Sequence, residues 1–286
     1  MKVPGVSIVT PAYNRAAYIL DAVYSGLAQT VPPLEIIVVD DGSDDGTPEK
    51  VESVQDPMVR LVSLEHAGAP AARNRGVAEA RGEFILWLDS DDVLEPGAIR
   101  AYAEALADFP KAEVLYGKLT ITYPDLTPMD TLLSRDWFGR NAELMRELFF
   151  TNPVPNVATM VKRQCYDRVG GYDESYPRAH DYEFWTRLAP KAHFKYLRRL
   201  VAKYRWHESN ITGGATLPDR THELRLVLAH LERTGAERLF PELAQADPAG
   251  RERVVAAVAQ RLAEMGAAEA GLELARSLRD EYSGSA

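Results

Sequence analysis

Two runs of uninterrupted apolar residues, each ending in paired carboxylates, constrain this chain most. Ile36-Ile37-Val38-Val39 leads into Asp40-Asp41-Gly42-Ser43, and Phe84-Ile85-Leu86-Trp87-Leu88 leads into Asp89-Ser90-Asp91-Asp92. A strand with one wet face alternates, so continuous runs of this length predict strands buried on both faces of a parallel sheet. Val6-Ser7-Ile8-Val9 and Val59–Leu64 are two further strand candidates. Between them the period changes: Ile19, Val23 and Leu27 recur every fourth residue, on one face of a helix. Gly68-Ala69-Pro70 opens an Ala/Arg-rich helix to about Arg81, and Pro96 opens another with Ile99, Tyr102, Ala103 and Leu106 on one side. This alternation predicts a doubly wound α/β fold: a mostly parallel central sheet flanked by helices.

From about residue 113 the pattern is less regular. Val114–Tyr116, Leu119–Tyr123, Val157–Val161 and Lys195–Tyr204 read as strands, with a Pro/Thr/Asp-rich loop after Tyr123. Helices are predicted near Arg140–Phe149 and over Tyr182–Leu188. After Gly213-Gly214 the chain becomes rich in Ala, Leu, Glu and Arg, and reads as helices punctuated by Gly235, Pro241, Pro248 and Gly266. The expected organisation is an α/β domain over 1–215, with halves at about 1–112 and 113–215, and a helical C-terminal extension over 216–286.

Composition excludes several classes. One cysteine, Cys165, cannot make an internal disulfide, which fits a reducing compartment. A net charge of −9 lacks the basic footprint that nucleic acid needs. No apolar run approaches the ~20 residues that span a bilayer. With no charged-then-apolar leader, the expectation is a cytoplasmic protein with no transmembrane segment.

In open α/β sheets ligands bind beyond the carboxyl ends of the strands. Asp40-Asp41 and Asp89-Ser90-Asp91 would share that rim. One cluster alone reads equally well as a turn, since Asp-Gly and Asp-Ser are good turn formers. Two on one rim repel, and a divalent cation or ribose hydroxyls would relieve the repulsion. Mg²⁺ and Mn²⁺ bridge carboxylates to phosphates, so the rim suits a diphosphate ligand despite the negative charge.

Several linked stretches then resemble one family in order. They are Val6–Arg15, Leu34–Thr47, Ala71-Ala72-Arg73-Asn74-Arg75-Gly76, Gly82–Asp92, Val169–Glu174, His180-Asp181-Tyr182-Glu183-Phe184-Trp185 and Tyr204-Arg205-Trp206-His207. Together they resemble a family 2 glycosyltransferase of the GT-A fold over roughly residues 3–212. The helical tail is not covered.

The resemblance implies an inverting, metal-dependent transfer of sugar from a nucleotide-diphosphate sugar, with a UDP-sugar the expected donor. Thr10, Pro11, Ala12 and Tyr13 would lie against the nucleotide. Asp41 would accept from the base, as a carboxylate can from an imide N–H. Arg73 would stand near the nucleotide; read blandly it is a solvated helix-face arginine. Asp89, with Ser90 beside it, would reach the ribose. Asp91 would ligate Mn²⁺ or Mg²⁺, and His207 would complete that site. Asp92 would orient the loop, and Asp173 and Glu174 read as structural.

Asp181 is the expected catalytic base, taking the acceptor hydroxyl's proton; a helix N-cap is its bland alternative. His180 stands where the family usually has glutamate, and an imidazole there would tune the pH response. The segment Thr151–Asn156 would border the acceptor cleft, and Trp137, Phe138, Trp185 and Trp206 could stack on a sugar. A carbohydrate or lipid-linked hydroxyl acceptor in polysaccharide or glycolipid synthesis is expected. The C-terminal helices leave room for homo-oligomer contact or peripheral membrane contact on the inner face. The alternatives are a nucleotidyltransferase that makes the activated sugar and a non-catalytic sugar-nucleotide-binding module. The first usually has a glycine-rich basic loop, where this chain has Thr10–Arg15 without glycine. The second would lack Asp89, Asp91 and Asp181.

Overall fold

The computed structural model describes residues 4–131, 141–208, 210, 220–244 and 247–283. In chain order the elements are β1 (Val6–Ala12), α1 (Ile19–Leu27), β2 (Glu35–Asp40), α2 (Thr47–Glu52), β3 (Val59–Ser63), α3 (Ala69–Glu79), β4 (Phe84–Trp87), β5 (Val93–Leu94), α4 (Ala98–Asp108), β6 (Val114–Thr122) and β7 (Pro128–Thr131). There follow α5 (Asn141–Phe150), β8 (Met160–Lys162), α6 (Gln164–Val169), α7 (His180–Leu188), β9 (Phe194–Arg205), α8 (Thr221–Thr234), α9 (Ala236–Leu239), α10 (Pro248–Glu264) and α11 (Ala268–Ser283). Trp137, Phe138 and Gly213-Gly214 lie outside the described residues.

The chain divides into two compact units: Met1–Phe138 with Pro153–Ala215, and Gly139–Asn152 with Thr216–Ala286. The second therefore takes α5 from the middle of the sequence.

In the first unit the described strands form one sheet in the order β3-β2-β1-β4-β8-β6-β9-β5, with β7 on β6. The run β3-β2-β1-β4 is parallel throughout. β8 joins it antiparallel to β4 and β6, while β6 and β9 are parallel. Every residue of β2 and β4 is buried, as their unbroken apolar runs require. The register sets Ala12 beside Asp40 and Val9 beside Trp87, so β2 and β4 deliver their carboxylates to the same edge.

The opposite edge explains why β2 tolerates a buried glutamate. Glu35 Oε1 accepts from Ser7 Oγ at 2.7 Å and from the Arg81 amide at 2.8 Å, and Oε2 from Arg81 Nε at 3.0 Å. Burial pushes the Glu35 carboxyl up, but these bonds outweigh it and hold it below the usual range.

Two local expectations differ. β8 begins at Met160 rather than Val157, because Ala158 is left-handed (φ 54°) and the Thr159 hydroxyl turns back to the Pro155 carbonyl. The Pro/Thr/Asp loop closes a hairpin: Asp125 Oδ1 accepts from the Thr127 amide at 2.9 Å, Leu126 is left-handed (φ 67°), and β7 returns along β6. An edge strand can start on proline because its outward side needs no donor.

The second unit is helical. Phe149, Phe150 and Phe240 pack edge to face. His230 Nε2 lies 2.8 Å from the Met145 carbonyl, and burial lowers its pKa. Asp247 caps α10 by accepting from the amides of Ala249 and Gly250, with Pro248 in the first turn. Among the described residues no helix is long and apolar enough to cross a membrane.

Candidate active site

The rim beyond β1, β2 and β4 gathers the first-half candidates. Asp41 is buried, and its oxygens accept from the amides of Ala67 (2.8 Å) and Gly68 (2.9 Å). His66 Nδ1 stands 2.9 Å from Asp41 Oδ2, and the imidazole stacks on Tyr13 at 4.2 Å between centroids. Asp41 thus fixes the loop after β3 while Tyr13, 44% exposed, and His66 present flat faces to solvent. The side chains of Thr10 and Ala12 are buried.

Arg73 is not a solvated helix-face arginine. It is 6% exposed and lies over the Trp87 ring, 5.0 Å from its centroid. Nη2 donates to Asp89 Oδ1 at 2.6 Å, and Nε donates to His180 Nε2 at 3.1 Å. Asn156, with its amide turned so that oxygen faces the guanidinium, accepts from Nη1 at 2.6 Å and Nη2 at 3.0 Å. Burial opposes the charge, but Asp89, with Tyr172 and Asp181 adding to it, outweighs burial, and the guanidinium pKa rises.

His180 accepts on Nε2, so its proton sits on Nδ1, on the side of the Pro177 carbonyl. Burial and then the neighbouring Arg73 press its pKa down to about 3. It stays neutral at physiological pH, which corrects the expectation that it tunes the pH response there. Asp181 stands half-buried in the first turn of α7, within electrostatic reach of Arg73. The N-cap position belongs to Ala179, held left-handed at φ 57°, so Asp181 is not the cap.

Asp91 is buried where three elements meet. Its Oδ2 accepts from Arg15 Nε at 3.2 Å and lies 3.1 Å from His207 Nε2. His207 stacks on Tyr18 at 5.0 Å. Asp92 is fully buried; Oδ1 accepts from the Arg205 amide at 2.7 Å, while Oδ2 has no hydrogen-bond partner among the described residues. Burial, with Asp91 and Asp89 adding to it, raises the Asp92 pKa well above normal. Arg205 donates to Asp21 Oδ2 at 2.8 Å and the Pro124 carbonyl at 2.9 Å, and lies over Tyr18. Ser90 is buried between the two aspartates.

Elsewhere, Glu174 Oε1 accepts from Asn74 Nδ2 at 3.0 Å and Asp173 caps a turn at Ser175. Trp185 is fully buried and packs on Phe184 and Phe194, so it is core and unavailable to a sugar. Trp206 is 41% exposed. Sequence reasoning gave no site role to Arg15 or His66, read Trp87 only as part of a buried strand, and placed Asn156 in the segment bordering the acceptor cleft rather than on Arg73. Arg15 closes the Tyr13-Asn14-Arg15 stretch and was visible there; the others carry no local signal.

Residues 7–164 match the family model for glycosyl transferase family 2. A hyaluronan synthase of Pasteurella multocida is 34% identical over 212 residues, covering 73% of this chain and 21% of the relative. A chondroitin synthase of Escherichia coli is 29% identical over 240 residues, covering 83% and 34%. The succinoglycan biosynthesis protein ExoO of Rhizobium meliloti is 42% identical over 125 residues, covering 43% and 36%. The chain therefore spans only 21–36% of the length of these curated relatives. In fold it is similar to the crystal structure of S. aureus TarS 1-349 in complex with UDP-GlcNAc, with TM-score 0.66 and 18% identity over 97% of this chain and 89% of that one. That likeness supports the GT-A architecture, and the family model covers more than half of the residues: the chain belongs to glycosyltransferase family 2.

Proposed function

We propose that this chain transfers a sugar from a nucleotide-diphosphate donor, with UDP as the carrier, to a hydroxyl of a growing polysaccharide, with inversion at the anomeric carbon. The observation that carries this reading is the pairing of Arg73 with Asp89, and of Asp91 with His207, on one rim beside the exposed Tyr13–His66 stack. Relatives named as hyaluronan, chondroitin and succinoglycan proteins support a polysaccharide product, and the UDP-GlcNAc complex of the fold neighbour supports a UDP-sugar.

Tyr13 and His66 offer an aromatic face for the base, and Asp41 keeps lone pairs for an imide N–H. Asp89, held by Arg73, is aimed to accept from ribose hydroxyls. Asp181 takes the acceptor proton while the acceptor oxygen attacks the anomeric carbon and the bond to the diphosphate oxygen breaks. No three His, Cys, Asp or Glu side chains among the described residues are gathered to hold a cation unaided. One carboxylate and one imidazole do fit an ion that takes its other ligands from phosphate and water. Asp91 and His207 would hold that Mn²⁺ or Mg²⁺, which when bound would neutralise charge on the departing diphosphate.

The test is a panel of nucleotide sugars with Mn²⁺ and oligosaccharide acceptors, following nucleoside diphosphate and the anomeric configuration of the product. Expected are UDP release, a chelator-sensitive rate and inverted product. Pyrophosphate release from a nucleoside triphosphate and a sugar phosphate would instead establish a nucleotidyltransferase.

A further inference from the structure

We infer that Arg15 is a built-in stand-in for the divalent cation: it occupies Asp91 until a diphosphate arrives, and so makes metal binding and nucleotide binding depend on each other. The inference rests on the proposed nucleotide-sugar reading of the rim.

The loop after β1 is pinned through its backbone to the loop after β2. The amides of Asn14, Arg15 and Ala16 donate to Ser43 Oγ (2.9 Å), Thr47 Oγ1 (2.9 Å) and Asp45 Oδ2 (2.8 Å). Asn14 turns the chain at φ 52° and accepts from the Asp44 amide at 3.0 Å. Lys50 closes the same loop on the Ala16 carbonyl at 2.7 Å. The backbone of Arg15 is therefore fixed, and only its side chain has freedom. That side chain reaches across the rim to Asp91 Oδ2 at 3.2 Å, while Nη1 rests on the carbonyls of Asn14 (3.0 Å) and Tyr13 (3.3 Å). Nη2 makes no hydrogen bond among the described residues.

Asp91 Oδ2 already faces two groups, the guanidinium and His207 Nε2. A cation ligated by that oxygen and that nitrogen would lie between them, replacing their direct contact and competing with the guanidinium for Oδ2. Charge sharpens the conflict. Asp89 is matched by Arg73 and Asp91 by Arg15, each in contact. A dication entering alone would lie beside an uncompensated guanidinium a few ångströms away. A diphosphate removes the conflict: it supplies oxygens to the metal and an anion for the released Arg15, whose free fork suits phosphate. By linkage, the factor by which nucleotide tightens metal equals the factor by which metal tightens nucleotide.

The experiment titrates Mn²⁺ into the full chain by electron paramagnetic resonance, with and without UDP, and UDP by calorimetry, with and without Mn²⁺. Wild type, Arg15→Gln and Arg15→Lys are compared after circular dichroism shows equal folding. Wild type is expected to bind Mn²⁺ weakly alone and much more tightly with UDP. Arg15→Gln should bind Mn²⁺ alone about tenfold more tightly, bind UDP with Mn²⁺ more weakly, and so lose most of the coupling, which typically spans about 5- to 150-fold. Arg15→Lys should lie between. Unchanged or weaker Mn²⁺ binding by Arg15→Gln without nucleotide, in a protein that binds Mn²⁺ with UDP, overturns the inference and leaves the nucleotide-sugar reading intact. No Mn²⁺ binding by any form even with UDP overturns both.

Discussion

Replacing Gly76 with alanine should destabilise the first unit, although alanine is the better helix former. Gly76 lies inside α3, where the exchange would ordinarily gain about 1 kcal/mol. Here a Cβ would stand 2.3 Å from Val9 Cγ1 and 3.4 Å from Val39 Cγ2. Ordinary carbon contacts begin near ~3.5 Å, so α3 or Val9 must give by roughly 1 Å. Val9 and Val39 are fully buried in parallel strands, and a β-branched side chain has no alternative rotamer at low cost. Overpacking of this kind costs about 1–3 kcal/mol, or more where nothing yields. A 2.3 Å contact puts the clash in the upper part of that range, about 2–3 kcal/mol, so it exceeds the propensity gain with a net loss of about 1–2 kcal/mol, or a Tm lower by about 2–8 °C in a unit of this size. Differential scanning calorimetry of Gly76→Ala measures it. Adding Val9→Ala should recover stability relative to the sum of the two single changes by about 1 kcal/mol or more, the signature of a shared contact. Arg73 lies one turn earlier on the same buried face, so lifting α3 should also stretch its 2.6 Å bond to Asp89 and weaken nucleotide binding. A Gly76→Ala protein as stable as wild type, or more so, would refute the reasoning.

Asp181→Asn should retain UDP affinity and lose about 10²–10⁴ in transfer rate, read by single-turnover product formation; a normal rate would remove Asp181 from the base role. His180 is neutral when folded, with a pKa of about 3 against 6.5 when unfolded. The unfolded chain alone binds this proton as pH falls below 6.5, so its contribution is intact above that pH and erodes by about 1.4 kcal/mol per unit towards pH 3. His180→Gln should flatten that part of the stability profile in urea melts, and an unchanged slope would show that the acid sensitivity lies elsewhere.

The parallel half of the fold was legible because burial on both faces writes itself into consecutive residues, as in Ile36–Val39 and Phe84–Leu88. The rim was legible because strand ends and their carboxylates are adjacent in sequence. The helix punctuation was also legible: Gly235 and Gly266 have φ of 85° and 83°, and Pro248 stands in the first turn of α10. What was not legible is pairing at a distance. Arg73 and His180 are 107 residues apart, and Arg205 reaches Asp21 across 184. No local period encodes such contacts, so the sequence placed Arg73 near the nucleotide without naming its partners, left a solvated helix-face arginine as its bland alternative, and read His180 as a titrating neighbour. The placement of α5 among the C-terminal helices fails for the same reason, since its apolar face at Leu144, Met145 and Leu148 does not name its partner.

The net charge of −9 is a poor guide to what this rim repels. Its carboxylates are engaged at contact distance: Asp89 with Arg73, Asp91 with Arg15, Asp92 with the Arg205 amide, and Asp41 with two backbone amides. Fields from the remaining surface charges fade over about 10 Å at 0.1 M salt, whereas buried contact pairs are screened far less. The proposed anionic donor would therefore meet a locally balanced site rather than the whole molecule's charge. Raising sodium chloride from 0.05 to 0.5 M should change the Kd for UDP with Mn²⁺ by less than about threefold, because little long-range repulsion remains to be screened. Removing the metal with a chelator should weaken the same binding far more. Calorimetry at matched pH separates the two, and a tenfold tightening with salt would show that the surface charge does act on the ligand.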